Sequence, residues 1–196
     1  MKTSTIKNRV SYYFRFTLLF LITALIIYAP FILTQKSFVW AHDSYTQHLK
    51  AMIYISRWYR QTLKSLVKFD FKAISTYSFS IGYGSDAMST LAYYGVGDPF
   101  YLLSALVPAK YIYLFYCLLI PVKNYCSGLA MSALCRFRWP SPEHDKGCLA
   151  GSLIYTFCGF ALITCFGQPI FLSAMIIFPL VLLGIEKIRD GKRPWA

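Results

Sequence analysis

The chain is short of charge and shorter still of acid. Only 14% of its 196 residues are charged, and 8 Asp and Glu stand against 20 Lys and Arg. A soluble domain carries about 25% charged residues. So little charge beside 57% apolar residues excludes an ordinary water-solvated domain and a disordered chain. The six cysteines form no C-x-x-C pair and no zinc spacing, which excludes a disulfide framework and a zinc module. Cys117, Cys126, Cys135, Cys148, Cys158 and Cys165 lie in or beside apolar runs, where a free thiol behaves as a small hydrophobe. Internal repeats and Ser/Gly- or Pro-rich linkers are missing too. The formal net charge of +12, in so apolar a chain, fits an anionic membrane surface better than nucleic acid.

What is present is a series of apolar runs. The first expected span, 16–34, holds the run FTLLFLITALIIYAPFIL (16–33), broken only by Thr17, Thr23 and Pro30. A helix needs about 20 such residues to cross a bilayer. The run is too long for a signal-peptide core and no A-x-A site follows it, so it reads as a retained anchor. Residues 101–135 form a second stretch, broken at Pro108 into an interfacial or re-entrant turn and a span. Residues 147–166 and 169–186 make a third and a fourth. Gly147 and Gly151 give the third a G-x-x-x-G spacing, which permits close helix contact.

The fold class is therefore all-α and polytopic, with four transmembrane helices and a long outer loop. The tail 1–15 carries Lys2, Lys7, Arg9 and Arg15. The loop 136–146 carries Arg136, Arg138 and Lys146, and the tail 187–196 carries Lys187, Arg189, Lys192 and Arg193. With four spans these three segments share one side, and the positive-inside rule makes it the cytoplasm. Residues 35–100 are then extracytoplasmic. They are basic as well, but loops longer than roughly 60 residues translocate largely regardless of charge.

Within that loop, residues 44–69 have helical periodicity. Tyr45, Leu49, Met52, Tyr59, Leu63 and Leu66 recur at steps of three, four or seven and share one face. Lys50, Arg57, Arg60, Lys64 and Lys68 occupy a narrower stripe. An amphipathic helix with a basic edge lies in a membrane interface, apolar side down and cations near lipid phosphates. Arg57 and Arg60 are candidates to hold a lipid-linked phosphate. Ser44 and Gln47 have capping-box spacing, which starts the helix at Ser44 and sets Asp43 just before it. Unpaired N–H groups there favour a carboxylate. Asp43 is either a helix-start residue or an ionised acid at the outer surface.

Asp86 closes the run Gly82-Tyr83-Gly84-Ser85-Asp86, and Asp98 lies in Gly95-Val96-Gly97-Asp98-Pro99. Both fit turns, and neither run has the strand-to-helix context of a phosphate-binding loop. His42 and His48 flank the helix start but are too few for a metal site. Tyr77, Phe79, Tyr83, Tyr93, Tyr94, Phe100 and Tyr101 suit a membrane interface or a sugar-contacting wall. Lys123 and Asn124 interrupt the second span. An intramembrane Lys faces protein or water, or snorkels at a helix end.

The run WAHDSYTQH, then SFSIGYGSD, then YYGVGDPFYLLSALVP, then Lys123-Asn124, resembles the start of the YfhO-type bacterial membrane proteins, from about Phe14 to the end. Those proteins are in turn similar to GT-C glycosyltransferases, which move a sugar from a polyprenyl-phosphate donor at the outer membrane face. The resemblance implies a catalytic base in the first outer loop, at the position of Asp43. It implies cations near the leaving phosphate, for which Arg57 and Arg60 are candidates, and a site shaped by Asp86 and Asp98. Lys123 joins these as a substrate-binding candidate. The donor is a substrate, so no cofactor and no metal are expected. Expected partners are anionic lipids, the lipid-linked sugar and an envelope polymer such as teichoic acid, with no nucleic acid. Such enzymes have many more spans than four, so the chain is expected to be the front of a longer enzyme or a remnant of one. A transport or flippase module centred on Lys123 and Asn124 is the alternative, and a non-catalytic membrane subunit is another.

Overall fold

The computed structural model describes residues 2–194, with side chains from Val10 onward. The extreme ends of the two expected cytoplasmic tails, Met1, Trp195 and Ala196, lie outside the described residues, as do the side chains of Lys2, Lys7 and Arg9. The chain is 72% helical and nearly all-α. Its helices are α1 (Lys2–Leu33), α2 (Lys50–Val67), α3 (Ala87–Thr90), α4 (Pro99–Leu102), α5 (Ile112–Arg138), α6 (Asp145–Thr156) and α7 (Leu172–Arg189). One hairpin pairs β1 (Tyr77–Ser78) with β2 (Ser85–Asp86), Tyr77 opposite Asp86. The chain divides into two compact units, 1–38 with 120–196, and 39–119.

The first unit is built around α1. Tyr12, Phe16, Phe20, Ala24 and Tyr28, one per turn, are buried, while Phe14, Leu21, Leu25 and Ile26 are exposed. The buried row joins a core with Cys135, Cys148, Leu149, Cys165, Phe166 and Leu172. Phe20 lies against Tyr125 and Phe157 at 5.0 and 5.3 Å between ring centroids. A Cβ on Gly128 would collide with Phe16 and Thr156. At that glycine, side chains of α1 and α6 therefore press against α5. The G-x-x-x-G pair is not such a point: a Cβ on Gly147 or Gly151 would meet nothing within 4 Å. All six cysteines are free.

Among the described residues, three helical stretches are long and apolar enough to cross a membrane: Val10–Leu33, Ala109–Arg138 and Pro142–Thr164. The fourth expected span, 169–186, falls on α7. This helix is apolar as far as Ile185, but its last turn carries Glu186, Lys187 and Arg189, and it is not one of the three.

In the second unit, alanines mix with larger residues in the core. Ala51, Ile55 and Tyr59 of α2 pack with Ala87, Leu91 and Ala105. The amphipathic stripe of α2 therefore differs from the expected lone surface helix. Leu49, Met52 and Tyr59 are buried, whereas Tyr45, Leu63 and Leu66 are exposed. The reason is local: the turns around Ala87 and Ala105 cover the middle of the stripe and leave its two ends exposed.

Candidate functional site

The second unit gathers polar groups around the entry to α2. The capping box is not formed there. The amide of Tyr45 already bonds the carbonyls of Trp40 and His42, and that of Thr46 bonds the carbonyl of His42. Helical turning thus begins before Ser44, and Asp43 has helical backbone angles and caps no amide. The turn is wide, a π-helix over Ser44–Leu49. Single π-turns inside helices occur often at functional sites.

Because Asp43 is inside a turn, residue 47 sits one turn above it. Gln47 Nε2 donates to Asp43 Oδ1 at 2.9 Å. Tyr94 Oη–H donates to Gln47 Oε1, also at 2.9 Å. The amide is used at both ends, which fixes its orientation. Tyr94 thereby holds Gln47, and Gln47 holds Asp43, while Asp43 itself stays exposed. His48 is buried, with its ring 5.2 Å from that of Tyr94 and 5.7 Å from that of Tyr93. Burial pushes the His48 imidazole below its ordinary pKa, and the charge of Asp43 opposes that only in part. A neutral imidazole follows near pH 7.

The other candidate residues have structural tasks. Asp86 is the N-cap of α3, accepting from the amide of Ser89 at 2.8 Å. Its carboxyl is held below the usual range, first by the side chain of Thr76 and then by that amide. Asp98 is the N-cap of α4, accepting from the amides of Phe100 and Tyr101 at 2.8 and 3.2 Å. Both match their sequence context, since an Asp before a short helix satisfies otherwise orphaned N–H groups. Arg60 donates to the carbonyls of Ala105 (3.2 Å) and Val107 (2.7 Å), stapling α2 to the segment before Pro108. Arg57 is exposed on α2.

Lys123 and Asn124 belong to the first unit and are fully buried. Lys123 Nζ donates to Ser173 Oγ at 2.7 Å, and Asn124 Nδ2 donates to Tyr28 Oη at 2.7 Å. Lys123 thus does not snorkel. Among the described residues, no three His, Cys, Asp or Glu side chains converge to hold a metal ion.

Sequence reasoning missed Gln47, His48 and Tyr94 as neighbours of Asp43. The signal was the i, i+4 spacing of Asp43 and Gln47, legible only if the helix is started one turn earlier. Nothing in the sequence links Tyr94 to this cluster.

Residues 14–196 match the family model described as bacterial membrane protein YfhO. No curated protein and no solved structure gives a significant match. The match covers nearly the whole chain, and the aromatic-cored bundle with its three apolar helices is what a membrane protein requires. The chain belongs to the YfhO family of bacterial membrane proteins.

Proposed function

We propose that this chain is the N-terminal part of an integral membrane glycosyltransferase that moves a sugar from a polyprenyl-phosphate donor to an envelope polymer such as teichoic acid. One observation carries the proposal: an exposed carboxylate, Asp43, is held by a Gln47–Tyr94 chain beside a buried imidazole. A carboxylate fixed at one oxygen and open to solvent suits a general base. It takes the proton of an acceptor hydroxyl as that oxygen attacks the anomeric carbon. The bond from that carbon to the phosphate oxygen breaks, and polyprenyl phosphate leaves with the electron pair.

Arg57, an exposed cation on α2, is assigned to the charge that develops on the leaving phosphate. Arg60, committed to two carbonyls, supports the site by bracing α2. Asp86 and Asp98 hold the turns that carry Tyr94. The loop 35–100 is placed outside the bacterial cell membrane and the N-terminus in the cytoplasm, with α7 as a fourth span. The clustering of Arg136, Arg138, Lys187 and Arg189 at helix ends supports that orientation.

Replacement of Asp43 by Asn preserves shape and the contact with Gln47 but removes the base. Transfer from a lipid-linked sugar in isolated membranes should fall about 10²–10⁴-fold. Transfer at the unaltered rate would overturn the assignment. A transport or flippase role is the second proposal, favoured by the buried Lys123–Ser173 and Asn124–Tyr28 contacts inside the bundle.

A further inference from the structure

The apolar stripe of α2 is covered for only half its length. Ala51, Met52, Ile55 and Tyr59 are buried, and one turn further on the same stripe continues as Leu63 and Leu66, both exposed. At about 100° per residue, Leu66 lies within the arc of the buried set, Leu63 about 20° beyond its edge and Val67 about 60° beyond it. Val67 is 78% exposed.

The helix then ends in a costly way. The amide of Asp70 bonds the carbonyl of Ser65, and that of Phe69 bonds the carbonyl of Leu66, the pattern of a Schellman stop. That stop places its C′ residue in the left-handed region, where glycine is the unstrained choice. Here the position is held by Phe69, with φ of 55° and 79% exposure. Its ring meets that of Phe71, itself exposed, edge to face at 6.5 Å. A bulky aromatic side chain stands in a strained backbone position and gains little packing for it. Strain retained in this way points to a function for the side chain.

The surroundings identify the chemistry. Lys64, Lys68 and Lys72 are exposed between these apolar residues, and Asp70 is the one acid from residue 63 to residue 72. Lysine is depleted from the cores of protein interfaces. Long-stemmed cations around apolar and aromatic tips instead suit a lipid surface, where the stems lie along the apolar zone and the ammonium groups meet phosphates. We propose that the end of α2 and the turn after it, residues 63–72, form a docking surface for an anionic lipid bilayer. Leu66, Val67, Phe69 and Phe71 enter the acyl boundary, and Lys64, Lys68 and Lys72 contact lipid phosphates. The proposal is independent of the sugar-transfer reading, because it uses neither Asp43 nor its partners.

The test uses the full chain, with its native cysteines replaced, in nanodiscs of phosphatidylcholine with and without phosphatidylglycerol. Nitroxide labels are placed by Val67→Cys, Phe69→Cys and Gln61→Cys. Gln61 is exposed about 160° round α2 from Leu63. Labels at 67 and 69 should collide more with oxygen than with a soluble nickel chelate, the label at 61 the reverse. Greater nickel access at 67 and 69 overturns the proposal. So does shielding from both quenchers with spin–spin broadening, which marks a second copy as the occupant. Without phosphatidylglycerol the labels should become shallower, and unchanged depth overturns the role given to the lysines. If the cysteine replacements prevent folding, Phe69→Trp in the native-cysteine chain serves instead. Brominated acyl chains should quench its added fluorescence, and absence of quenching overturns the proposal.

Discussion

The two units differ in how many of their aromatic residues stand exposed. In the unit formed by 1–38 and 120–196, a row of large rings is inside: Phe16, Phe20, Tyr28 and Phe166 are buried, and Leu21, Leu25 and Ile26 face outward. In the unit 39–119, Tyr59, Tyr101 and Tyr116 are buried as well, but Phe69, Phe71, Tyr77, Phe79 and Tyr83 are exposed. The first arrangement suits an apolar solvent, in which an aliphatic exterior costs nothing and ring packing supplies cohesion. The second suits a boundary between water and lipid, where amphipathic rings reside.

The second unit satisfies its short helices with Asp86 and Asp98 and its loop carbonyls with Arg60. In the first unit, the Tyr12 hydroxyl lies among those of Ser132 and Ser152, and Arg136 lies with its guanidinium 4.5 Å over the ring of Tyr12.

The contrast can be broken at single residues. The largest stability effect is expected at Gly128. Gly128→Val drives a side chain into Phe16 and Thr156, and overpacking costs about 1–3 kcal/mol or more. Thermal unfolding in detergent should shift well below the parent's. An unshifted transition would mean that α1, α5 and α6 are not tightly packed there. Next comes Arg60→Ala, which leaves the carbonyls of Ala105 and Val107 without their charged donor, at about 1.5–3 kcal/mol. Limited proteolysis should then cut near residues 103–108, and no change in protection would remove the staple.

Asp98→Ala should cost about 0.5–2 kcal/mol as a lost cap, again read by protease protection of the second unit. Asp86 adds a pH dependence with a definite sign. Its folded pKa is depressed, so its contribution is complete above the unfolded carboxylate pKa and is lost as pH falls through the folded value. Hydrogen exchange of the Ser89 amide should therefore accelerate on acidification, relative to the intrinsic rate, and Asp86→Asn should flatten the trend. The smallest effect is expected at Tyr94. Tyr94→Phe removes the donor to Gln47 but leaves the ring against His48, and should lower turnover far less than Asp43→Asn does.

Much of this was legible in the sequence, and what was not has physical causes. The apolar runs mark the bundle because lipid burial leaves long uninterrupted signals. The break at Pro108 and the Asp-led turns at 86 and 98 are local chemistry, readable from the neighbouring residues. The start of α2 was misplaced, because Ser44 and Gln47 fit a capping box equally well in isolation. Only the backbone bonds of Tyr45 and Thr46 show that turning has already begun. The half-covered stripe of α2 was also hidden, since periodicity gives the face but not what packs on it. Gly147 and Gly151 matched a motif, whereas Gly128 lay in no motif and is where a side chain would collide. Long-range neighbours such as Tyr94 and Gln47 leave no trace in spacing.

The central claim is that chemistry belongs to the unit of 39–119, at Asp43, and not to the buried polar pair of the helical unit. The most direct measurement sets Asp43→Asn and Lys123→Ala side by side in membranes supplied with a radiolabelled polyprenyl-phosphate sugar. Loss of transfer in Asp43→Asn, with substantial transfer kept by correctly inserted Lys123→Ala, is the expected result. Transfer that survives Asp43→Asn and disappears with Lys123→Ala, at equal membrane content of both variants, would contradict the claim and move the function into the bundle.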